Sequence, residues 1–417
     1  FFFYFYNFFK YKNNPAGLWR RTTLAEYKKT KPVWEVLLDL DALNSEENAN
    51  WVWHGADCLK PDYQHCLIAL SRGGSDADET REFNLNTKQW IKNGFYRPES
   101  KGAMSWKNSN EVYVYSDFGE GSMTSSGYPR TAKLWQRGTP LAQAKIIYEG
   151  SDDDMYIAAY HDDSKGFERD FVSRTIAFYN DELLLIKPDG KLVKIEAPNS
   201  AQKNVHNQYL LLELREELNV NGNTYSAGSL LATDFEKYMR GERDFTVLFE
   251  PCSTSSLAGY TWTQNYLLLN LLDDVKNKIS VLDPSNKWQS TKLIGAPSIG
   301  TLAITAVDSD DTDDYFLTVT DYLTPTTLML GAVGRAPENL KQLPNFFDAS
   351  HHQITQSFVV SKDGARVPYF MVSAKNLVKD GKNPTLLYGY GGFEISLTPN
   401  YSASVGRAWL SQGGVFV

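Results

Sequence analysis

Residues 383–402 read NPTLLYGYGGFEISLTPNYS. Pro384 precedes a short apolar run, Thr385 to Leu387. Tyr388 and Tyr390 then alternate with Gly389, Gly391 and Gly392 before Phe393. This spacing predicts a buried strand running into a sharp glycine turn. A strand ending in this way presents one side chain at the edge of a sheet, and the glycines allow positive φ and a close approach of the backbone to a ligand. Pro399 and Asn400 mark a loop. A helix is expected from about Ser402 to Gln412, ended by Gly413 and Gly414, and Val415 to Val417 begin another apolar strand.

Upstream, TQSFVVSKDG and RVPYFMVSAKN are split by Asp363-Gly364 and predict a hairpin. Between them and the tyrosines, 376–382 is a polar surface turn. Before Leu343 and Pro344 the pattern changes to short apolar runs in pairs: LWRRTTL with WEVLLDL from Leu18, TREFNL with KQWI from Thr80, AKLWQRG with AKIIYEG from Ala132, and ELLLI with KLVKIEA from Glu182. The series continues with GSLLATDF and DFTVLFE from Gly228, NKISVLD and WQSTKLI from Asn277, and TTLMLGAV and LKQLP from Thr326. Another β-rich run precedes each pair: residues 2–9, 66–71, 112–116, 156–161, 209–214, 266–272 and 315–320. Seven units of about four strands and roughly 45 to 50 residues are the signature of a β-propeller. One such unit cannot cover its own apolar faces, whereas seven arranged radially bury them against one another.

The twenty residues from Asn383 to Ser402 closely resemble the start of the catalytic domain in the prolyl oligopeptidase family of serine peptidases. The resemblance implies a mainly β chain: a seven-bladed β-propeller over residues 1–345, followed over 346–417 by the N-terminal part of an α/β-hydrolase domain. The run at 2–9 matches the second strand of its unit, so the first blade is expected to be incomplete and the chain truncated at both ends. The family's catalytic serine, aspartate and histidine are then expected beyond Val417, and this piece alone is expected to be inactive. By the same resemblance Tyr390 donates its phenol O–H to the oxyanion hole and Phe393 lines the substrate pocket, while Tyr388 is structural. Relatives that cut after basic residues carry Ser-Tyr where this chain has Gly392-Phe393, which favours cleavage after proline. A basic-residue oligopeptidase, an acylpeptide or dipeptidyl peptidase, and a non-catalytic propeller scaffold for protein binding are the alternatives.

Composition agrees with a large folded chain. The 417 residues are 42% hydrophobic and carry a net charge of −8, enough apolar material for more than one domain. No clustered Lys/Arg face is present, which argues against nucleic acid and anionic membranes as partners. No apolar run approaches the roughly 18 residues of a membrane helix, and the aromatic start lacks the pattern of a signal peptide. Short peptides are the expected partners, with the protein a monomer in the cytoplasm. Cys58 and Cys66 are spaced so that a hairpin can bring them face to face, but three cysteines make no disulfide framework and favour buried thiols in a reducing compartment.

Other candidates for chemistry read as structure. Gly73-Gly74-Ser75-Asp76-Ala77 comes nearest to a nucleophile elbow but precedes a strand rather than a helix, so it reads as a hairpin turn. His54, His65, His161, His206, His351 and His352 are scattered, and no metal spacing is found. The runs 152–154 and 308–314 lack the full calcium-loop pattern and read as solvated turns. Met155 and Cys252 are candidates for the propeller side of the substrate pocket, with core packing the stronger expectation for both. No cofactor is implied.

Overall fold

A computed structural model of the chain describes residues 4–392 and 395–417. Each of the fourteen paired runs contains a strand, and among the described residues seven sheets of three to five strands follow one another from Tyr4 to Gln342. The first has three strands, Tyr4–Tyr11, Asn14–Thr23 and Glu35–Asp39. One assignment shifts. The run at 156–161 was expected just ahead of its pair, but Tyr156–Asp162 is the outer strand of its sheet and Arg169–Ala177 lies between. Ser173, Arg174 and Thr175 interrupt the apolar pattern of that intervening strand, so periodicity does not mark it.

The chain packs as two compact units, Phe1–Tyr225 with Leu231–Thr246, and Ser226–Leu230 with Val247–Val417. In the first unit, each apolar cluster is shared by consecutive sheets. Trp19, Leu37 and Leu38 of the first sheet meet Trp51, Ile68 and Phe83 of the second. Leu67 and Phe95 then meet Trp106, Val112 and Trp135, Tyr113 and Ala132 meet Ile157 and Val172, and Phe171 and Leu185 meet Leu210, Leu212 and Leu231. Leu210, Leu211 and Leu212 are all fully buried. Successive residues of a strand point to opposite faces, so both faces of that sheet are covered. Burying each such leucine contributes about 1.5 to 3 kcal/mol.

An ion-pair network and a covalent cross-link reinforce the first unit. Glu82, on the strand Asp78–Asn84, has a fully buried side chain that accepts from Arg137 Nη1 and Nη2 at 2.8 and 2.9 Å. It also accepts from the Phe95 N–H at 2.9 Å and pairs with His65 Nδ1 at 2.9 Å. The cross-link corrects the cysteine expectation. Cys58 and Cys66 are direct cross-strand partners and are joined as a disulfide over a sequence separation of 8. Closing so short a loop stabilises the fold by about 2 to 3 kcal/mol in the chain-entropy account. Melting the protein with and without reductant is expected to show a lower Tm in reductant, and no such difference for Cys58→Ala/Cys66→Ala. Equal Tm values for the oxidised and reduced wild type contradict this.

Other sequence expectations are corrected locally. Asp154 is buried rather than solvated, held by Arg174 at 3.0 to 3.1 Å. Asp313 ties down a neighbouring turn, accepting from Thr263 Oγ1, the Asn265 N–H and Asn265 Nδ2, each at 2.8 Å. Met155 and Cys252 are exposed, not core. Residues 73–77 do form the turn between His65–Arg72 and Asp78–Asn84, with Gly73 and Gly74 at φ 64° and 83°.

In the second unit, Leu268, Ile279 and Val281 of the sixth sheet share a cluster with Leu302, Tyr315 and Leu317 of the seventh. The remaining sheet has the order His352–Val360, Arg366–Ala374, Val415–Phe416, Thr385–Leu386. Its first two strands are the expected hairpin, turned at Gly364 with φ 88°. The expected helix is present in two parts, an α-helix Ala403–Ala408 capped by Ser402 and a 3-10 turn Leu410–Gln412, with Gly413 left-handed at its end. No helix among the described residues is long and apolar enough to cross a membrane.

Candidate active site

The tyrosine segment hangs from the end of the chain. Val415 N–H donates to Pro384 O at 2.8 Å, Val417 N–H to Leu386 O at 2.9 Å, and Tyr388 N–H to Val417 O at 2.8 Å. Thr385–Leu386 thus runs parallel to Val415–Phe416 as an edge strand. It is not the buried strand expected: Leu386 and Leu387 are 42% and 76% exposed, because an edge strand has one neighbour. Nor do the glycines act as expected. Gly389, Gly391 and Gly392 do not adopt positive φ, and a Cβ on Gly389 or Gly391 would meet nothing within 4 Å. Gly392 differs, since a Cβ there would lie 3.3 Å from the Tyr390 hydroxyl and crowd the phenol.

The TPNYS loop is anchored through Tyr401. Its hydroxyl accepts from the Phe346 N–H at 2.9 Å, its N–H donates to Thr320 Oγ1 at 3.3 Å, and its ring stacks on Phe347. Thr301 Oγ1 donates to Pro399 O at 2.7 Å. These bonds join the loop to the seventh sheet, and between loop and sheet lies a cavity of about 770 Å³. Tyr388 and Tyr390 line it together with Tyr322, Phe370 and Phe416, an aromatic lining with a few polar groups of the sort that holds small ligands. Burial pushes the Tyr322 phenol up to about 12, so it stays protonated.

Tyr390 is 49% exposed, and its hydroxyl makes no hydrogen bond among the described residues. The half-exposed ring lines the cavity, and its hydroxyl lies over Gly392. Tyr388, expected to be structural, is 59% exposed and lines the same cavity. Phe393 lies outside the described residues. None of the six histidines lines this cavity. His54, His65 and His161 each pair with a carboxylate at 2.9 to 3.0 Å, and the bond to Asp170 raises the His161 pKa. His352 bonds the Leu410 carbonyl at 3.1 Å. Among the described residues no group of three or more His, Cys, Asp or Glu side chains is placed to hold a metal. Tyr322 and Val275 of the cavity were missed from sequence. Neither carries a motif, and both come from connections between strands far from Tyr390 along the chain.

Comparison with known proteins places this arrangement. The family model for the prolyl oligopeptidase N-terminal β-propeller domain matches residues 2–330. The chain belongs to the prolyl oligopeptidase family. Among prolyl oligopeptidase relatives, an uncharacterized peptidase, y4nA, of Sinorhizobium fredii is 36% identical over 98% of this chain and 58% of its own length. A prolyl endopeptidase of Elizabethkingia miricola is 31% identical over 40% of this chain and 22% of its own. The solved structure of a post-proline cleaving enzyme from Rickettsia typhi matches with a TM-score of 0.85 and 28% identity, covering 99% of this chain and 62% of that one. The chain thus spans about three fifths of the length of the relatives it matches along its whole extent. Its homologues are peptidases, and the mainly β chain matches the family's propeller-domain model over residues 2–330.

Proposed function

We propose that the intact protein is a serine-type oligopeptidase that hydrolyses short peptides on the carboxyl side of proline. The observation that carries this reading is the half-exposed Tyr390 lining an aromatic cavity, its hydroxyl without a hydrogen bond among the described residues, in a family whose members are peptidases. In this mechanism a serine attacks the peptide carbonyl with a histidine as base, Tyr390 donates to the oxygen as it becomes an oxyanion, and the C–N bond then breaks as the histidine passes the proton to the leaving amine. Water then releases the acyl group. Phe393 supplies an aromatic wall for the proline ring. The serine, aspartate and histidine belong to sequence beyond this chain, which by itself hydrolyses nothing, and no cofactor is needed.

The domain division follows the same reading. The seven consecutive sheets support a seven-bladed propeller over 1–345 that admits only short peptides, and residues 346–417 open the α/β-hydrolase domain. The protein acts as a monomer. For location, the cysteine count favours the cytoplasm, whereas the Cys58–Cys66 bond is favoured in oxidising compartments. The thiol content of protein extracted without reductant decides between them.

Assaying the intact protein with matched proline and arginine reporter peptides tests the specificity. A kcat/KM at least about 10-fold higher for proline is expected, a ratio within reach of one well-formed pocket. Preference for arginine would move the protein to the basic-residue branch, and cleavage of neither would leave the propeller as a binding scaffold.

A further inference from the structure

The sixth sheet contains a turn that its sequence does not favour. Strands Leu267–Asp273 and Lys276–Asp283 are joined by two residues, Asp274 and Val275, with φ of 46° and 63°. Two positive φ values define the tight hairpin turn that strongly prefers Asn-Gly. A β-branched side chain in the left-handed region is a steric outlier, and such strain persists only where surrounding structure enforces it. Glycine at 275 would make the same turn without strain.

The enforcing contacts come from the hairpin His352–Val360/Arg366–Ala374. Gln356 Nε2 donates to the Asp274 carbonyl oxygen. Arg366 Nη1 lies 3.3 and 3.4 Å from the two carboxylate oxygens of Asp274, and its guanidinium rests on the Phe358 ring at 3.4 Å. Val275 lines the same cavity as Tyr388 and Tyr390, and so does the stretch from Val367 to Phe370 that follows Arg366. Val275, next to the clamped Asp274, and Val367, next to Arg366, therefore border one space.

We propose that the Asp274–Val275 turn is a specificity wall of the Tyr390 cavity, held in place by Gln356 and Arg366. The branched, rigid Val275 side chain limits the bulk of the apolar peptide side chain admitted there. Val275 touches the substrate; Gln356 and Arg366 are positioning residues. This rests on the peptidase reading and adds to it a residue that selects by size.

The test uses the intact protein, wild type, Val275→Gly and Arg366→Gln, with proline reporter peptides carrying alanine or phenylalanine beside the proline. Val275→Gly is expected to raise the phenylalanine-to-alanine ratio of kcat/KM at least about 5-fold, without lowering Tm. Arg366→Gln is expected to move the same ratio in the same direction by a smaller factor. A merely structural role would lower Tm or scale both substrates alike. An unchanged ratio in an active Val275→Gly enzyme overturns the wall, and an unchanged ratio in Arg366→Gln overturns the clamp. Val275→Ala carries the comparison if Val275→Gly does not melt cooperatively. A wild-type protein that cleaves neither peptide overturns the peptidase reading and the wall with it.

Discussion

Tyr390→Phe in the intact protein is expected to lower kcat by about 100- to 1,000-fold, the cost of removing one donor aimed at a developing oxyanion. The substitution deletes a single oxygen. That oxygen makes no hydrogen bond among the described residues and sits on a half-exposed ring, so Tm is expected to stay the same. An interaction made only in the transition state lowers kcat and kcat/KM together and leaves KM alone. Steady-state kinetics with a proline reporter, alongside a melting curve, measure this. An unchanged kcat would remove Tyr390 from the mechanism, and a raised KM with constant kcat would make it a substrate contact only.

Glu82→Ala is expected to destabilise the first unit by about 3 kcal/mol, the lower end for breaking a buried ion pair because Arg137 still reaches water. The substitution strands the Arg137 guanidinium and the Phe95 N–H, both of which now bond the buried carboxylate. For a unit of this size the loss corresponds to a fall in Tm of roughly 10 °C. Glu82→Leu/Arg137→Leu is expected to recover much of it, since apolar replacement of both partners leaves no orphaned charge. A fall of less than about 2 °C in the single variant would show the network to be energetically idle.

The same carboxylate carries a pH dependence. Burial alone raises its pKa, but Arg137, His65 and the Phe95 N–H outweigh burial and hold it below the ordinary glutamate range. With a depressed folded-state pKa, the stabilisation is complete above the unfolded value of about 4.3 and is lost as pH falls through the folded one. The Tm gap between wild type and Glu82→Ala is therefore expected to shrink as the pH drops below about 4. A gap independent of pH in that range contradicts this account.

Much of the fold is legible in the chain because strands announce themselves locally. The paired runs from Leu18 to Leu340 alternate or carry continuous apolar residues, and each contains a strand. Arg169–Ala177 escaped because polar residues break its pattern, and the Thr385–Leu387 run looked buried because apolarity alone does not say whether a strand is central or at an edge. The cysteines show the same limit. Their spacing permits a cross-strand pair, but only the register that sets Cys58 opposite Cys66 makes the bond.

At the candidate site, Tyr390 was named from its motif, yet its neighbours in the cavity were not in the motif. Gly392 was credited with backbone freedom and instead leaves room for the phenol.

By itself the sequence determined the mainly β architecture, the repeat of sheets and the family, because each depends on periodicity and motifs within a few dozen residues. Only the tertiary structure decided that Val275, Tyr322 and Tyr390 share one cavity and that Arg366 reaches Asp274. These residues come from separate sheets and a terminal segment, and their meeting depends on how sheets stack and on strand register. Those are properties of the packed chain as a whole, and no local pattern of side chains encodes them.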